Sequence, residues 1–249
     1  MNIIQKSKIW EKNPFDSKTR NKVKELKKKP DLLYDSFYKN LEFGTGGIRG
    51  IMGVGTNRIN KYTIGKTTQG LAKYLLKSFK NDNIKVVLAY DCRNNGVLYS
   101  KVVSNVLSAN GIICYVFRDI RPTPQLSFAI KKLNAQCGIM ITASHNPPEY
   151  NGYKVYWSDG GQIVPPIDKK LIEIINSTKY EEINFKSKKK NITKISKNFD
   201  NKFIEASTKS VKFKVLNQEN LKITFSSLHG TSIKILPDLM KKEGFKNFN

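Results

Sequence analysis

The sequence has few cysteines and no long apolar run, and both features exclude certain classes of protein. Cys92, Cys114 and Cys137 lie singly, with no Cys-x-x-Cys pair, which argues against a disulfide framework and against a structural zinc site. No apolar stretch reaches the length of a membrane-spanning helix, and the first residues lack the apolar segment of a signal peptide. We therefore expect a soluble, cytoplasmic protein with reduced thiols and no membrane partner.

Acidic residues are also scarce, since 20 Asp and Glu stand against 44 Lys and Arg, for a formal net charge of +24. Such a balance ordinarily indicates a nucleic-acid or anionic-membrane partner. The lysines are nevertheless spread along the chain, and only residues 186–190 form a run, of the kind usually found on solvated linkers. We therefore expect no specific nucleic-acid partner, although a basic surface would attract small anionic ligands.

The chain of 249 residues with 39% apolar content is long enough to bury one large core or two smaller ones. Apolar runs and helical periodicity predict alternating strands and helices at 84–90, 97–109, 112–117, 125–133 and 137–141. The helical crossovers make the three strands parallel and bring their carboxyl ends to one edge. A strand at 155–157 followed by Asp-Gly-Gly predicts a hairpin. The predicted fold class is α/β, with a mixed, mostly parallel sheet flanked by helices.

The remaining patterns predict four parts, namely an N-terminal helical arm (1–40), a first domain (41–180), a lysine-rich linker (181–198) and the incomplete start of a second α/β domain (199–249). Capping residues and apolar spacing predict further helices at 17–29, 30–39, 61–80, 166–175, 199–210 and 233–242. The second unit would add one strand at 221–226. One strand and two helices do not make a domain core, so this unit is expected to be cut off.

The most informative stretch runs from Thr142 to Pro148, directly after a buried strand and before Asn-Gly-Tyr-Lys at 151–154. Functional side chains on open α/β sheets lie at such strand ends. Asn and Pro also make ordinary turns, and this interpretation stays open. His145 adjoins Ser144 without a Gly-x-Ser-x-Gly elbow, so a hydrolase triad does not follow. A serine that carries a phosphoryl group is the better candidate.

Four ordered motifs resemble the α-D-phosphohexomutases, the phosphoglucomutase and phosphomannomutase family. They are the Gly-rich segment Leu-Glu-Phe-Gly-Thr-Gly-Gly-Ile-Arg-Gly at 41–50, Asp-Cys-Arg at 91–93, Thr-Ala-Ser-His-Asn-Pro at 142–147 and Asn-Gly-Tyr-Lys at 151–154. The loop at 228–231 resembles the His-Gly segment of the family's second domain. There His229 is better explained as a residue positioned by backbone contacts than as a catalytic one. The resemblance implies reversible phosphoryl transfer between the 1- and 6-positions of a hexose phosphate, through a phosphoserine enzyme and a bisphosphate intermediate.

The resemblance also implies roles for individual residues. Ser144 would carry the phosphoryl group, Lys154 would act as general acid and base, His145 would position groups or shuttle protons, and Arg49 would support the phosphoryl group. Residues expected to bind the substrate or its phosphate are Gly46, Gly47, Arg49, Asp91, Arg93 and Asn146. A surface turn pair is an equally good interpretation of Asp91 and Arg93, and Lys154 without the family would be interpreted as an exposed strand lysine. The implied cofactors are Mg²⁺, held by Ser144 through its phosphate, and glucose 1,6-bisphosphate as activator.

The sequence departs from the family in one respect that affects function. It contains no Asp-x-Asp-x-Asp motif, from which the family takes three metal ligands, and no sugar-recognition loop or distal phosphate clamp. We therefore expect the amino-terminal part of a mutase, from a truncated, split or degraded gene, that is inactive alone and could pair with a separate C-terminal fragment. Glucose 1-phosphate is the expected substrate, with mannose and pentose phosphates as alternatives. The alternative function is an inactive basic remnant that binds anions or nucleic acid.

Overall fold

The computed structural model describes residues 2–44, 46–80, 83–210 and 217–249. Its strands are β1 (Gly47–Ile51), β2 (Lys85–Tyr90), β3 (Ile113–Val116), β4 (Cys137–Ile141), β5 (Tyr150–Trp157), β6 (Ile192–Lys194), β7 (Lys222–Ile223) and β8 (Asn247–Phe248). Its helices are α1 (Ile3–Ile9), α2 (Ser17–Leu26), α3 (Pro30–Phe37), α4 (Lys61–Ser78), α5 (Gly96–Ala109), α6 (Thr123–Lys132), α7 (Ile167–Ser177), α8 (Asn198–Ser210) and α9 (Leu236–Lys242).

Six strands form one sheet in the order β1-β5-β4-β2-β3-β6. β4, β2, β3 and β6 are parallel, whereas β5 runs antiparallel to both β4 and β1. The predicted fold class, a mixed and mostly parallel α/β sheet, is therefore confirmed. As predicted, β2, β3 and β4 end at the same edge of the sheet, because helical crossovers connect them.

Alternate residues of the central strands enter two different cores. Val86 and Leu88 face a core that also contains Leu71 of α4, Val103 of α5 and Leu171 of α7. The intervening residues Val87 and Ala89 face a second core with Leu126 and Ile130 of α6 and Phe199 of α8. Because side chains alternate along a strand, a strand that is apolar throughout must be covered on both faces. The sheet is accordingly a middle layer between two layers of helices.

The N-terminal arm packs on the start of α4 through a third apolar cluster. Trp10 stacks on Phe15 with ring centroids 4.3 Å apart, and Phe37 and Tyr62 complete the cluster. The cap of α2 reaches the same place, because the Asp16 carboxylate accepts hydrogen bonds from the Thr19 amide (2.8 Å) and from the Tyr62 hydroxyl (3.1 Å). Two predicted helices of the arm are present, and α1, which the sequence analysis did not predict, precedes them.

Two strands of the six-stranded sheet lie where the sequence predicted none. β1 begins within the Gly-rich segment at 41–50, where Ile48 is buried opposite Tyr153 of β5. A side chain at Gly47 would collide with the Tyr153 carbonyl, so glycine permits the strands to approach. Thr45 of the same segment lies outside the described residues. β6 lies in the segment that we predicted to be a lysine-rich linker, and it pairs with β3 through Ile192 to Lys194.

The segment after β6 packs against the core of the six-stranded sheet. Phe199 of α8 is buried against Phe117 and Phe128, and Asp200 forms a buried ion pair with Arg121 at 2.7 Å. β7 and β8 form a separate two-stranded parallel sheet beside α9. The division into arm, first domain, linker and second domain stays a prediction. Within the described ranges, no helix combines the length and apolar character needed to cross a membrane.

Candidate active site

Ser144 stands three residues beyond the end of β4, with its side chain exposed to solvent. Its backbone has φ of +57°, the left-handed region that residues other than glycine seldom adopt. Its amide donates to the Thr142 hydroxyl at 2.9 Å. Its hydroxyl Oγ lies 3.4 Å from Nδ1 of the neighbouring His145. The structure therefore presents a serine hydroxyl and an imidazole together at the carboxyl edge of the parallel strands.

Arg93, at the end of the adjacent strand β2, lies beneath this loop. Its Nη2 donates to the carbonyls of Ser144 (2.7 Å) and Asn146 (2.5 Å). Its Nη1 donates to the carbonyls of Pro147 (2.8 Å) and Tyr150 (3.1 Å). The guanidinium thus contacts the backbone of the loop. We predicted that Arg93 binds substrate phosphate, and that role stays a prediction, but the geometry favours a positioning role.

Asp91, in the same turn as Arg93, also supports the loop. Its Oδ2 accepts a hydrogen bond from the Thr142 hydroxyl at 2.5 Å, and its Oδ1 accepts one from the Arg93 amide at 3.1 Å. Burial raises the pKa of Asp91, although the hydrogen bonds from Thr142 and Arg93 oppose the increase. Thr142 was part of the quoted motif, but no role for it was predicted from the sequence. A threonine two residues before an exposed serine is the signal that could have suggested this link.

Arg49 and Lys154 approach the loop from the opposite side of the sheet edge. In the β1–β5 register Gly47 pairs with Lys154 and Arg49 with Gly152, so both cationic side chains project from the same face. Arg49 Nη1 donates to the Asn146 side-chain oxygen at 2.9 Å. The structure therefore brings Arg49 into contact with the loop that carries Ser144, and Lys154 projects from the same face of the sheet.

Lys154 is half-buried, and its surroundings disfavour its charged form. Burial lowers the pKa of Lys154, the positive charge of Arg49 lowers it further, and the negative charge of Asp91 raises it. A lysine of lowered pKa beside a hydroxyl group can accept and return a proton closer to neutrality than an ordinary lysine. The predicted role of Lys154 as general acid and base stays a prediction that this environment supports.

Gly46 and Gly47 lie at the start of β1 and take part in backbone hydrogen bonds there. The Gly46 carbonyl accepts from the Val155 amide at 2.8 Å, and Gly46 has φ of +81°, which favours glycine. Gly47 exchanges backbone hydrogen bonds with Gly44 at 2.9 and 3.2 Å. Phosphate binding by these two glycines stays a prediction, and the backbone contacts give them a structural role at the β1–β5 edge.

An open groove of about 500 Å³ extends from Arg49 along β1. Its lining includes Tyr38 and Lys39 of the arm and Tyr150 of β5. It provides aromatic rings and charged side chains of both signs beside Arg49, because Asp35 and Glu42 also line it. The loop at 228–231 also reaches this edge of the sheet, because Cys92 donates through its thiol to the His229 carbonyl. The imidazole of His229 is exposed and is not part of the serine constellation.

The described residues do not by themselves fit a Mg²⁺ site. No group of three His, Cys, Asp or Glu side chains within the described ranges could hold a metal ion. The carboxylate that supports the serine loop, that of Asp91, is already occupied by Thr142 and Arg93. Mg²⁺ prefers several oxygen ligands, and Ser144, through a phosphate, would supply one. The residues described around Ser144 therefore do not form a metal site on their own.

Comparisons with known proteins agree with the fold. A family model described as phosphoglucomutase/phosphomannomutase, alpha/beta/alpha domain I, matches residues 40–182. Proteins named phosphoglucomutase from Staphylococcus aureus (strain MRSA252) and Staphylococcus haemolyticus are 38% and 35% identical to this chain. The aligned parts cover 86% and 89% of this chain but 39% and 43% of those proteins. The chain therefore spans less than half of the length of these relatives.

Solved structures resemble the chain in fold. A putative phosphomannomutase from Thermus thermophilus has a TM-score of 0.72 at 24% identity, over 84% of this chain and 44% of that one. The Paramecium phosphoprotein pp63/parafusin has a TM-score of 0.65 at 16% identity, over the same 84% and 44%. The matched family region extends over every residue placed around Ser144, from Arg49 to Lys154. The chain therefore belongs to the phosphoglucomutase/phosphomannomutase family and contains its amino-terminal α/β/α domain.

Proposed function

We propose that this chain is the phosphoserine-bearing part of a phosphosugar mutase, with Ser144 as the phosphoacceptor. The observation that carries the proposal is the exposed Ser144 hydroxyl on a loop contacted by Arg49 and Arg93, with His145 beside it. A serine at a strand end among cations suits a group that carries a dianionic phosphate. The proposed substrate is glucose 1-phosphate, converted reversibly to glucose 6-phosphate, with mannose and pentose phosphates as alternatives.

The proposed reaction exchanges two phosphoryl groups in sequence. A free sugar hydroxyl attacks phosphorylated Ser144, so that the bond between phosphorus and the sugar oxygen forms and the bond to Oγ breaks. The hydroxyl proton passes to Lys154 in its neutral form. The leaving Oγ takes up a proton, and His145, with Nδ1 at 3.4 Å, is placed to supply it. The sugar bisphosphate then reorients and returns its other phosphoryl group to Ser144 by the reverse proton movements.

Arg49 would stabilise the phosphoryl group during transfer, because its guanidinium is charged at all relevant pH values and can donate two hydrogen bonds at once. Asn146 fixes the direction of Arg49 by accepting one hydrogen bond at 2.9 Å. We propose Mg²⁺ as the cofactor and glucose 1,6-bisphosphate as the activator of the complete enzyme. The metal ligands other than Ser144, and the distal phosphate clamp, would come from a separate C-terminal fragment acting as a partner.

The test is phosphoryl transfer to Ser144. The chain would be mixed with the carboxyl-terminal part of a related phosphoglucomutase and incubated with ³²P-labelled glucose 1,6-bisphosphate, and the labelled peptide would be mapped. We expect label on the peptide that contains Ser144 and none in Ser144→Ala. A matched control is Ser158→Ala, which removes an exposed serine from the far end of β5. Label on another residue, or label that persists in Ser144→Ala, would refute the proposal.

A further inference from the structure

The terminal N–H groups of Arg93 all donate to one short stretch of backbone. The Nη1 and Nη2 groups together carry four N–H bonds, and four carbonyls accept them, at Ser144, Asn146, Pro147 and Tyr150. The remaining nitrogen, Nε, faces the Asp91 carboxylate at 3.5 Å. The side chain is only 10% exposed. The guanidinium is therefore enclosed between Asp91 and the loop, with no terminal N–H left for a substrate phosphate.

This arrangement fixes the curvature of the loop. A guanidinium is a planar fork, so carbonyls that bind to it are held in a defined relation to one another. Hydrogen bonds from a charged donor are also stronger than those between neutral groups. Ser144 needs such support, because its left-handed φ of +57° is unfavourable for a residue with a side chain. The Arg93 contact to the Ser144 carbonyl acts on that residue directly.

A second set of hydrogen bonds holds the other end of the same residue. The Ser144 amide donates to the Thr142 hydroxyl, and that hydroxyl donates to Asp91. Arg93 therefore holds the carbonyl of Ser144 while Asp91, through Thr142, holds its amide. Asp91 and Arg93 belong to the same three-residue turn after β2, and the Arg93 amide donates to the Asp91 carboxylate. One turn thus fixes both peptide groups of the candidate phosphoacceptor.

We propose that Arg93 is a positioning residue that sets the orientation of Ser144 before any substrate binds, and that it does not itself bind substrate phosphate. Its importance for catalysis rests on the proposed function of Ser144, whereas its action on the loop backbone does not. Two measurements therefore distinguish the action of Arg93 on the loop backbone from its importance for catalysis. Amide hydrogen exchange reports the conformation of the loop in this chain, and phosphoryl transfer reports the consequence in the reconstituted enzyme.

The first experiment needs no variant. Amide exchange of the chain is followed by NMR, and we expect the Ser144, Asn146 and Tyr150 amides to exchange at least about tenfold more slowly than an unstructured peptide. These amides donate to Thr142 Oγ1, to the Ala143 carbonyl and to the Pro147 carbonyl, at 2.9, 3.1 and 3.0 Å. Exchange at peptide rates would show that the loop is not held in advance and would overturn the proposal.

The second experiment compares Arg93→Lys with Arg118→Lys. Lysine keeps the charge but cannot span four carbonyls, so Arg93→Lys should accelerate exchange at the loop amides by about tenfold or more, without a similar change in β2 or α5. Arg118 also donates to one backbone carbonyl, that of Ile195 at 3.3 Å, and it is exposed. Arg118→Lys should leave the loop unchanged. Unchanged loop exchange in Arg93→Lys would contradict the proposal.

The third experiment separates positioning from substrate binding. In the reconstituted enzyme, Arg93→Lys should lower kcat by about tenfold or more with little change in KM, because the residue acts through Ser144. A raised KM with unchanged kcat would identify Arg93 as a substrate ligand and refute the proposal. If wild-type Ser144 accepts no label at all, the proposed function fails, while hydrogen exchange still decides whether Arg93 presets the loop.

Discussion

At the scale of single residues, the site depends on one serine in a backbone conformation that costs free energy. A left-handed φ is unfavourable by about 1–2 kcal/mol for a residue with a Cβ. At Ser144 the contacts from Thr142 and Arg93 offset this cost. The result is a hydroxyl that projects from the sheet edge toward solvent with a fixed direction. Such local strain is typical of functional sites, where the surrounding structure determines an otherwise uncommon conformation.

The pKa of Lys154 should lie below the ordinary lysine value, and the positive charge of Arg49 should be part of the cause. Burial lowers the pKa of Lys154 and the charge of Arg49 lowers it further. Arg49→Met should therefore raise the Lys154 titration midpoint, whereas Arg49→Lys, which keeps a positive charge, should leave it close to that of the wild type. The measurement is a pH titration of the lysine ¹³Cε resonances. A midpoint at the ordinary lysine value in the wild type would contradict the prediction.

At the scale of elements, the central strands and their crossover helices could be predicted because each carries a local signal. β2 is apolar from Val86 to Tyr90, and α4 repeats its apolar residues at helical spacing. β1 and β6 carry no such signal. β1 exists because its backbone pairs with β5, about a hundred positions away along the chain, and β6 is a three-residue edge strand beside a lysine run. Pairing between distant segments is decided by the whole fold, and local composition does not encode it.

Contacts between distant segments of the chain also limited what could be predicted of the candidate site. The position of Ser144 at a strand end followed from the apolar run before it. The side-chain tether from Asp91 through Thr142 did not follow, because it joins two loops that only the parallel arrangement of β2 and β4 brings together. The four contacts of Arg93 to backbone carbonyls likewise depend on the turn geometry of the serine loop. An arginine near a candidate phosphate site was therefore interpreted as a phosphate ligand.

The cap of α2 predicts a pH-dependent contribution to stability. Burial alone would raise the pKa of Asp16, but hydrogen bonds from Thr19, Lys61 and Tyr62 outweigh it and lower the pKa to about 2, from 3.8. A lowered folded-state pKa means that the stabilisation is present above the unfolded value of 3.8 and is lost as pH falls toward 2.

Asp16→Ala should therefore reduce the free energy of unfolding by about 1 kcal/mol near neutral pH. The difference in the free energy of unfolding between wild type and variant should shrink as pH falls from 3.8 toward 2. Urea unfolding at a series of pH values measures it, and Asp31→Ala, in the first turn of α3, is a control that removes an acidic residue without removing this cap. A difference that is constant with pH would show that the carboxylate charge contributes nothing.

Helix α8 should be held to the sheet by one buried ion pair. Arg121 Nε and Nη2 donate to the two oxygens of Asp200 at 3.0 and 2.7 Å, and Gln125 adds a third hydrogen bond at 2.6 Å. Asp200→Ala leaves Arg121 buried without its partner, which typically costs about 3–5 kcal/mol. Arg121→Met/Asp200→Leu should recover much of that loss, because no charge remains. Equal stability of Asp200→Ala and wild type in urea unfolding would contradict this account of the interface.

At the scale of the whole molecule, positive charge is abundant and mostly unpaired by acidic side chains. Nine ion pairs join residues in the part of the chain that is described, whereas the sequence has 44 Lys and Arg. Most of these cations are therefore solvated and not concentrated in one site. A surface of this kind draws anions toward the protein without selecting among them.

Binding to DNA or RNA should accordingly be weak, salt-sensitive and indifferent to sequence. Scattered lysines contact phosphates, and such contacts lose affinity steeply as salt displaces them. Filter binding of two unrelated duplexes across a salt series measures this, with heparin as a non-nucleic polyanion for comparison. We expect similar curves for all three ligands. Tight binding of one duplex at physiological salt would favour the nucleic-acid function instead.

Turnover by residues 1–249 alone depends on how well the negative charge of the reacting phosphoryl group is neutralised. A dianionic phosphoryl group repels an incoming oxygen unless positive charge or a metal ion neutralises it. Arg49 supplies a cation beside the loop that carries Ser144. Within the described ranges, however, no cluster of three metal-binding side chains is present, and the chain spans 39% of a phosphoglucomutase relative. The described residues of the isolated chain would therefore present Ser144 without a metal site of their own.

We expect the isolated chain not to interconvert glucose 1-phosphate and glucose 6-phosphate, and a mixture with the carboxyl-terminal part of a related phosphoglucomutase to do so. Losing even one oriented group that stabilises the transition state typically lowers the rate by about 10²-fold or more, and here a metal site and a clamp would be missing together. The measurement is a coupled glucose 6-phosphate assay with Mg²⁺ and glucose 1,6-bisphosphate, and Ser144→Ala is the blank. Turnover by the isolated chain well above that blank would mean that Ser144, Arg49 and Lys154 with their neighbours form a sufficient site, because no partner would then be required.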